Sequence, residues 1–351
     1  MPYERAVGFP GPPDIGERVR YFTGCVAGGL GNMLSHNSPQ KPEAVKAMFL
    51  DLDGTILIHQ EDRQPDGTTG IKHVIHSSTL GYIRRAITEK DVMIIPVSGR
   101  APASMDPYIR AMGIENAIYI AHHGAWIGQR EGQKDKLIGE TPIEAENAKA
   151  VIEAFGSLGL EDKANLLYFN ANAVPHKPTS SGMLAEYKGR NPDLIYIPLS
   201  EDARPQDYLR QGLPHKLIVL ATGQSVNGIK ETLGEKLKNA GLEIMISNGM
   251  YVEIINVKAT KGRAVRTTLV HLYYARGIRP KSVISFGDGP SDLTIPSRAR
   301  VGRFYLLGNA PDDLKKRAKG MATVTVLEET NEQDAVGRVI ASVVLNEPYK
   351  E

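Results

Sequence analysis

From Lys46 onward the chain alternates short apolar runs with amphipathic stretches, and that alternation constrains the fold more than any other feature of its 351 residues. Ala47–Leu52 (AMFLDL) reads as a buried strand, and Ser78–Lys90 follows with Leu80, Ile83, Ala86 and Ile87 at helical spacing. Val92–Val97 (VMIIPV) is a second strand, and Met105–Met112 with Ala117–Ala121 repeats the helix–strand pair. Helix-sized connections between buried strands specify a parallel sheet with helices on its faces.

The regularity lapses from about Gly128 to Asn256. Helices are expected over 142–155 and 225–240, and strands over 166–169, 217–221, 243–247 and 251–257. Between them, residues 173–214 hold six prolines, which favour turns and irregular loops on a small α+β unit. After Lys261 the alternation returns, with helices over 262–276, 290–298, 311–319 and 333–345 and strands over 282–286, 304–307 and 323–327. The expected architecture is an α/β core over 46–126 and 257–345, interrupted by an inserted domain over 127–256. A Gly/Pro-rich extension over 1–45 precedes it and a tail over 346–351 follows.

Composition narrows the function. With 42 basic and 40 acidic residues the net charge is +2, so nothing general attracts a polyanion, and no nucleic-acid partner is expected. One cysteine, Cys25, forms no internal disulfide, which points to a reducing cytoplasm. No apolar run approaches the roughly 18 residues of a membrane span. Residues 21–34 are broken by four glycines and preceded by acidic residues, so neither a membrane anchor nor a secretory signal is expected. The fragment Gly28–Asn32 has the glycines of a phosphate loop but neither a preceding strand nor the following lysine, and reads as a flexible connection.

Chemistry concentrates in carboxylates. In Phe49–Leu57 (FLDLDGTIL), Asp51 and Asp53 leave an apolar strand at its carboxyl edge, where open α/β sheets place ligands. Two carboxylates so close repel unless a cation or proton separates them. Gly54 suits the sharp departure of the chain. In Ile284–Leu293 (ISFGDGPSDL), Asp288 and Asp292 again follow an apolar strand and reach the same edge. Either pair alone caps a helix equally well. Both pairs in one α/β frame make an oxygen-rich site suited to Mg²⁺.

With Val97–Arg100 (VSGR) after a second strand, Lys261 in Ala259–Val265 (ATKGRAV) and Gly287–Asp292 (GDGPSD), these strings resemble the four ordered motifs of the haloacid dehalogenase-like (HAD) phosphatases, over Ala47–Leu327. The long insertion between the second and third motifs is similar to the Cof-type sugar-phosphatase branch with a C2B cap. The resemblance implies a Rossmann-like parallel-sheet core and an α+β cap. It implies Asp51 as nucleophile and Asp53 as general acid and base. It places Mg²⁺ between Asp51, the backbone carbonyl of Asp53 and Asp288, with Asp292 a ligand or an anchor, and it has Ser98, Gly99 and Lys261 hold the phosphate. Arg100 contacts substrate or supports its loop.

His122 and His123 are adjacent and would face opposite sides of a strand, which disfavours zinc. His123-Gly124-Ala125 resembles the mouth of the site in trehalose-phosphate phosphatases, whereas Leu52, Gly289 and Ser291 depart from that pattern. The implied function is Mg²⁺-dependent hydrolysis of a phosphomonoester, a sugar phosphate or related small phosphometabolite, through an aspartyl phosphate. The alternatives are a phosphomutase resembling phosphomannomutase and a noncatalytic phosphometabolite-binding protein. The expected partner is a small phosphorylated substrate, with a homo-oligomer left open. Residues 166–246 are expected to set specificity, with Arg190, Arg204, Arg210, His215 and Lys216 either contacting a second anionic group or solvated.

Overall fold

A computed structural model describes residues 43–350 apart from 64–68, 115, 133, 161–163, 179–181, 222–225 and 248–249. The extension expected over 1–45 therefore lies, up to residue 42, outside the described residues, as do Cys25 and the glycine fragment.

All five residues of Ala47–Asp51 are buried, because the strand lies inside a sheet covered on both faces. Among the described residues that sheet has eight strands, in the order Val324–Val326, Arg303–Leu306, Val283–Gly287, Ala47–Asp51, Met93–Val97, Ile118–Ala121, Trp126–Glu131 and Lys134–Glu140. The first six run parallel, Trp126–Glu131 runs antiparallel to them, and Lys134–Glu140 pairs antiparallel with Trp126–Glu131 in turn. Side chains of the central strand alternate between two cores. Met48 and Leu50 pack with the helices Ser77–Lys90, Pro102–Met112 and Ala335–Val339, whereas Ala47 and Phe49 pack with Lys261–Arg276, Thr294–Ala299 and Asp312–Ala318. Register places Leu50 opposite Phe286 and Asp51 opposite Val97, so the strands carrying three of the motif strings end together.

The inserted unit is built on an antiparallel sheet ordered Leu242–Ser247, Tyr251–Asn256, Lys216–Ala221, Ala164–Phe169. Residues of the helices Ala145–Gly156 and Val226–Lys236 pack on one face. On the other, Leu167, Phe169, Ile218 and Leu220 pack with the helix Gly182–Arg190 and with Ala101 of the core.

Three features differ from expectation. Leu57–Arg63 and Thr69–Ile75 form an antiparallel hairpin, and the polar run HQEDR conceals its strand character. Trp126–Glu131 and Lys134–Glu140 extend the large sheet, so the boundary expected at 126/127 falls inside one of its strands; the outermost strand, KDKLIGE, is an exposed, charged edge with no apolar pattern. Within the proline-rich stretch, Ala173–His176 pairs in parallel with Ile195–Pro198, and the helices Gly182–Arg190 and Pro205–Leu209 form beside them. The closing helix starts at Ala335 and continues from Ile340 to Leu345 with π-type hydrogen bonding.

Candidate active site

Asp51 ends its strand, and the chain then folds sharply: the N–H groups of Thr55, Ile56 and Leu57 all donate to the Leu52 carbonyl, at 3.2, 3.1 and 2.9 Å. Gly54 permits this twice over. Its φ is +73°, and a side chain there would strike the Asp288 carboxylate. Asp51, Asp288 and Asp292 each present an oxygen within 4.8 Å of the others. Lys261, the first residue of its helix, lies between two of them, with Nζ 2.7 Å from Asp51 Oδ1 and 2.8 Å from Asp292 Oδ1. Thr55 Oγ1 donates to Asp288 Oδ1 (2.9 Å), Asn309 Nδ2 donates to the Gly54 carbonyl (2.8 Å), and Gly289 N–H donates to Asp292 Oδ2 (2.9 Å).

Three carboxylates share one lysine. Burial, then the charge of Asp292, pushes Asp51 well above the ordinary carboxyl range against the pull of Lys261. Burial, again with Asp292, pushes Asp288 up to about 6. Burial works against the Lys261 ammonium, but Asp292 and Asp51 outweigh it and raise its pKa well above the lysine range. The donor set is all oxygen and short of positive charge, and it fits a hard divalent cation such as Mg²⁺. Asp53 stands apart from that group. Its half-exposed carboxylate is held by Arg100 through Nε–Oδ2 at 2.8 Å and Nη2–Oδ1 at 2.5 Å. Burial raises the Asp53 pKa, and the Arg100 hydrogen bonds and charge overcome this and hold it below the usual range.

The remaining expected residues form the wall beside this cluster. Ser98 is fully buried, and its Oγ accepts from the Arg100 N–H (3.1 Å). A side chain at Gly99 would strike the His123 ring, and one at Gly124 (φ +105°) would strike the Thr260 carbonyl next to Lys261. His123 Nε2 donates to Glu253 Oε2 (2.7 Å), while Lys216 Nζ donates to Glu253 Oε1 (3.1 Å) and to the Gly99 carbonyl (2.9 Å). Burial presses Glu253 upward, but Lys216 and His123 hold it far below the carboxylate range.

Of the candidates in the insertion, Lys216 reaches a motif loop, through the Gly99 carbonyl. Arg190 pairs with Glu186 and Arg210 with Asp207, while Arg204 occupies the N-cap position of the short helix Pro205–Leu209, its backbone N–H donating to Asp207 Oδ2 at 2.8 Å. His215 stacks on His122 at 5.5 Å. Glu253 and Asn309 went unremarked in the sequence, and no local pattern marks either. In the sequence Thr55 suits, with Gly54, the sharp departure from the strand, and its bond to Asp288 adds a second role.

The model of the haloacid dehalogenase-like hydrolases matches residues 48–340. The chain belongs to that family. A crystal structure of a HAD-like hydrolase from Bacteroides thetaiotaomicron is similar, with a TM-score of 0.62 at 18% identity, covering 84% of this chain and 98% of that one. A HAD subclass IIB sugar phosphatase is similar with a TM-score of 0.60 at 19% identity, covering 84% of this chain and 98% of that one. A Haemophilus influenzae protein provisionally described as a phosphatase is 22% identical over 305 residues, covering 84% of this chain and 95% of its own length. In HAD terms, the eight-stranded sheet with its helices is the parallel-dominated α/β core and the four-stranded unit is the cap. Among the described residues, no helix is long and apolar enough to cross a membrane.

Proposed function

We propose that this HAD-like hydrolase is a Mg²⁺-dependent phosphomonoesterase acting on a sugar phosphate or related small phosphometabolite through an aspartyl phosphate. The observation that carries the reading is the placement of Asp51: it ends a central strand, bonds to Lys261 beside two further carboxylates, and has Asp53 on the same tight loop. A carboxylate oxygen of Asp51 attacks phosphorus as the bond to the substrate alcohol breaks, and the Asp53 carboxyl gives that alcohol its proton. The Asp53 carboxylate then takes a proton from water, whose oxygen attacks phosphorus, releases inorganic phosphate and restores Asp51.

The Arg100 pairing keeps Asp53 ionised, so Arg100 must loosen its hold before Asp53 serves as acid. Lys261 neutralises Asp51 against the incoming phosphate. Mg²⁺, held by Asp51, Asp288, Asp292 and the Asp53 carbonyl, would supply charge that offsets the repulsion between nucleophile and phosphate. Ser98 and Gly99 would hold phosphate oxygens, and Arg100, His123 and Gly124 would border the substrate. The description of the Haemophilus protein supports phosphatase activity, and that of the subclass IIB sugar phosphatase supports the substrate class. The single cysteine supports work in a reducing cytoplasm.

The test is inorganic phosphate release across a panel of sugar monophosphates, with Mg²⁺ and with chelator, and without any bisphosphate activator. Metal-dependent release from one class of sugar phosphate is expected. Absence of metal-dependent turnover would overturn the reading, and turnover only with a bisphosphate would turn it into a phosphomutase.

A further inference from the structure

Residues 258–303 carry ten lysines and arginines but only two aspartates, and both aspartates belong to the catalytic cluster. A chain of near-neutral charge thus has one segment with a large local excess of positive charge. The helices Lys261–Arg276 and Thr294–Ala299 meet through Gly262, whose N–H donates to Thr294 Oγ1 (2.9 Å). On their outer side lies an open groove of about 890 Å³.

Arg263 and Arg266 line the groove from the first helix, and Arg298 and Arg300 from the second helix and its end. Among the described residues none of these four guanidiniums pairs with a carboxylate. The first helix adds Val270, Tyr273 and Tyr274, which share a stripe with Arg263 and Arg266 at helical spacing. Val270 is 53% exposed, Tyr273 51% and Tyr274 78%. The two tyrosine rings meet edge to face at 5.5 Å, which leaves ring surface for another flat group. No residue of the catalytic cluster lines the groove.

We propose that this groove binds a free nucleoside triphosphate at a site separate from the catalytic cluster. Four unpaired guanidiniums match the roughly four negative charges of a triphosphate, and guanidinium forks suit phosphate oxygens. The tyrosines offer a stacking platform of a kind that accepts any base. The volume lies within the range of roughly 300–1,000 Å³ typical of small-molecule sites. The first 42 residues carry no net negative charge, since Glu4, Asp14 and Glu17 are outnumbered by Arg5, Arg18, Arg20 and Lys41.

The proposal stands independently of the phosphatase reading, and its test needs no turnover. The full chain is titrated calorimetrically, in chelator, with adenylyl imidodiphosphate, whose β–γ bridge resists hydrolysis. Stoichiometric binding is expected, weakened at least tenfold in the double variant Arg266→Glu/Arg298→Glu. Tyr273→Ala/Tyr274→Ala is expected to weaken nucleotide binding about fivefold or more while leaving inorganic triphosphate unaffected. Unchanged Mg²⁺-dependent hydrolysis of p-nitrophenyl phosphate, or an unchanged melting curve, shows that the variants fold. The proposal fails if no binding is seen, or if binding ignores the arginine variants. It fails equally if only single-stranded oligonucleotides bind, or if the arginines instead drive association of two copies seen by sedimentation.

Discussion

Asp51 and Asp53 are two residues apart and live in different electrostatic worlds. Asp51 is buried among carboxylates and anchored to Lys261, while Asp53 is half exposed and gripped by a guanidinium. The first environment suits a nucleophile that ionises fully only when cations surround it, and the second keeps an acid ionised until its partner moves. Asp51→Asn keeps shape and hydrogen bonding but loses the attacking oxygen, so phosphate release is expected to fall by at least about 10³-fold, with the melting temperature little changed. Single-turnover assays on the purified variant measure this, and a rate near wild type contradicts the nucleophile assignment. Arg100→Ala removes what holds Asp53 below its usual pKa, so the folded pKa of Asp53 rises. In the proposed mechanism Asp53 must be protonated to assist departure of the alcohol, so the alkaline limb of the kcat/KM profile is expected to move to higher pH. An unmoved limb separates Asp53 from that limb.

At the scale of elements, the helix Pro102–Met112 shows how far the cap reaches into the core. Its N-cap, Ala101, has no side chain to accept a hydrogen bond, and Asn172 of the cap supplies one, with Oδ1 accepting from the Ala103 N–H at 2.7 Å. Asn172→Ala is expected to cost about 1 kcal/mol, lowering the melting temperature by roughly 2–4 °C. Differential scanning calorimetry tests it, and no change means that water replaces the cap at no cost. The helix itself was legible, since its apolar residues recur at helical spacing, but its cap was not, because 69 residues separate Asn172 from Ala103. The same holds for Glu253 and for the partners of Lys216, which the sequence marks only as a cation of the insertion. Both residues sit in cap strands with no local pattern to mark these contacts, and the bond from Lys216 to Gly99 spans 117 residues. The core strands were legible because burial on both faces makes each a continuous apolar run. The hairpin and the two antiparallel edge strands were not, because polar residues interrupt that signal.

For the whole molecule, the carboxylate cluster links stability to pH and metal. A carboxyl whose pKa is higher folded than unfolded favours folding when protonated, and its contribution is lost as pH rises from the unfolded value toward the folded one. Asp288, pushed up to about 6, therefore penalises the metal-free protein as pH climbs from about 4 to 6. Metal-free Asp288→Asn carries no such penalty, so its stability relative to wild type is expected to rise across that window, by up to about 3 kcal/mol, and to level off above it. Urea unfolding at several pH values measures the difference, and a flat difference refutes the raised pKa. In the proposed reading Mg²⁺ binds only once the carboxylates ionise, so the thermal shift it produces in wild type is expected to be larger at pH 7 than at pH 5 and to collapse in Asp288→Asn. Thermal shift with and without chelator checks this.

The sequence by itself determined the alternating frame, the carboxyl-edge placement of both aspartate pairs and the order of the four motifs, because each depends on residues within one strand and its following loop. Tertiary structure decided the rest. Lys261 settles between Asp51 and Asp292, Arg100 captures Asp53, and the cap reaches the Gly99 loop through Lys216. More than two hundred residues separate Asp51 from Lys261, and their contact follows from strand register and helix packing rather than from any local preference. The arginine groove is of the same kind, since two helices with ordinary patterns make a site only when Gly262 lets them close on each other.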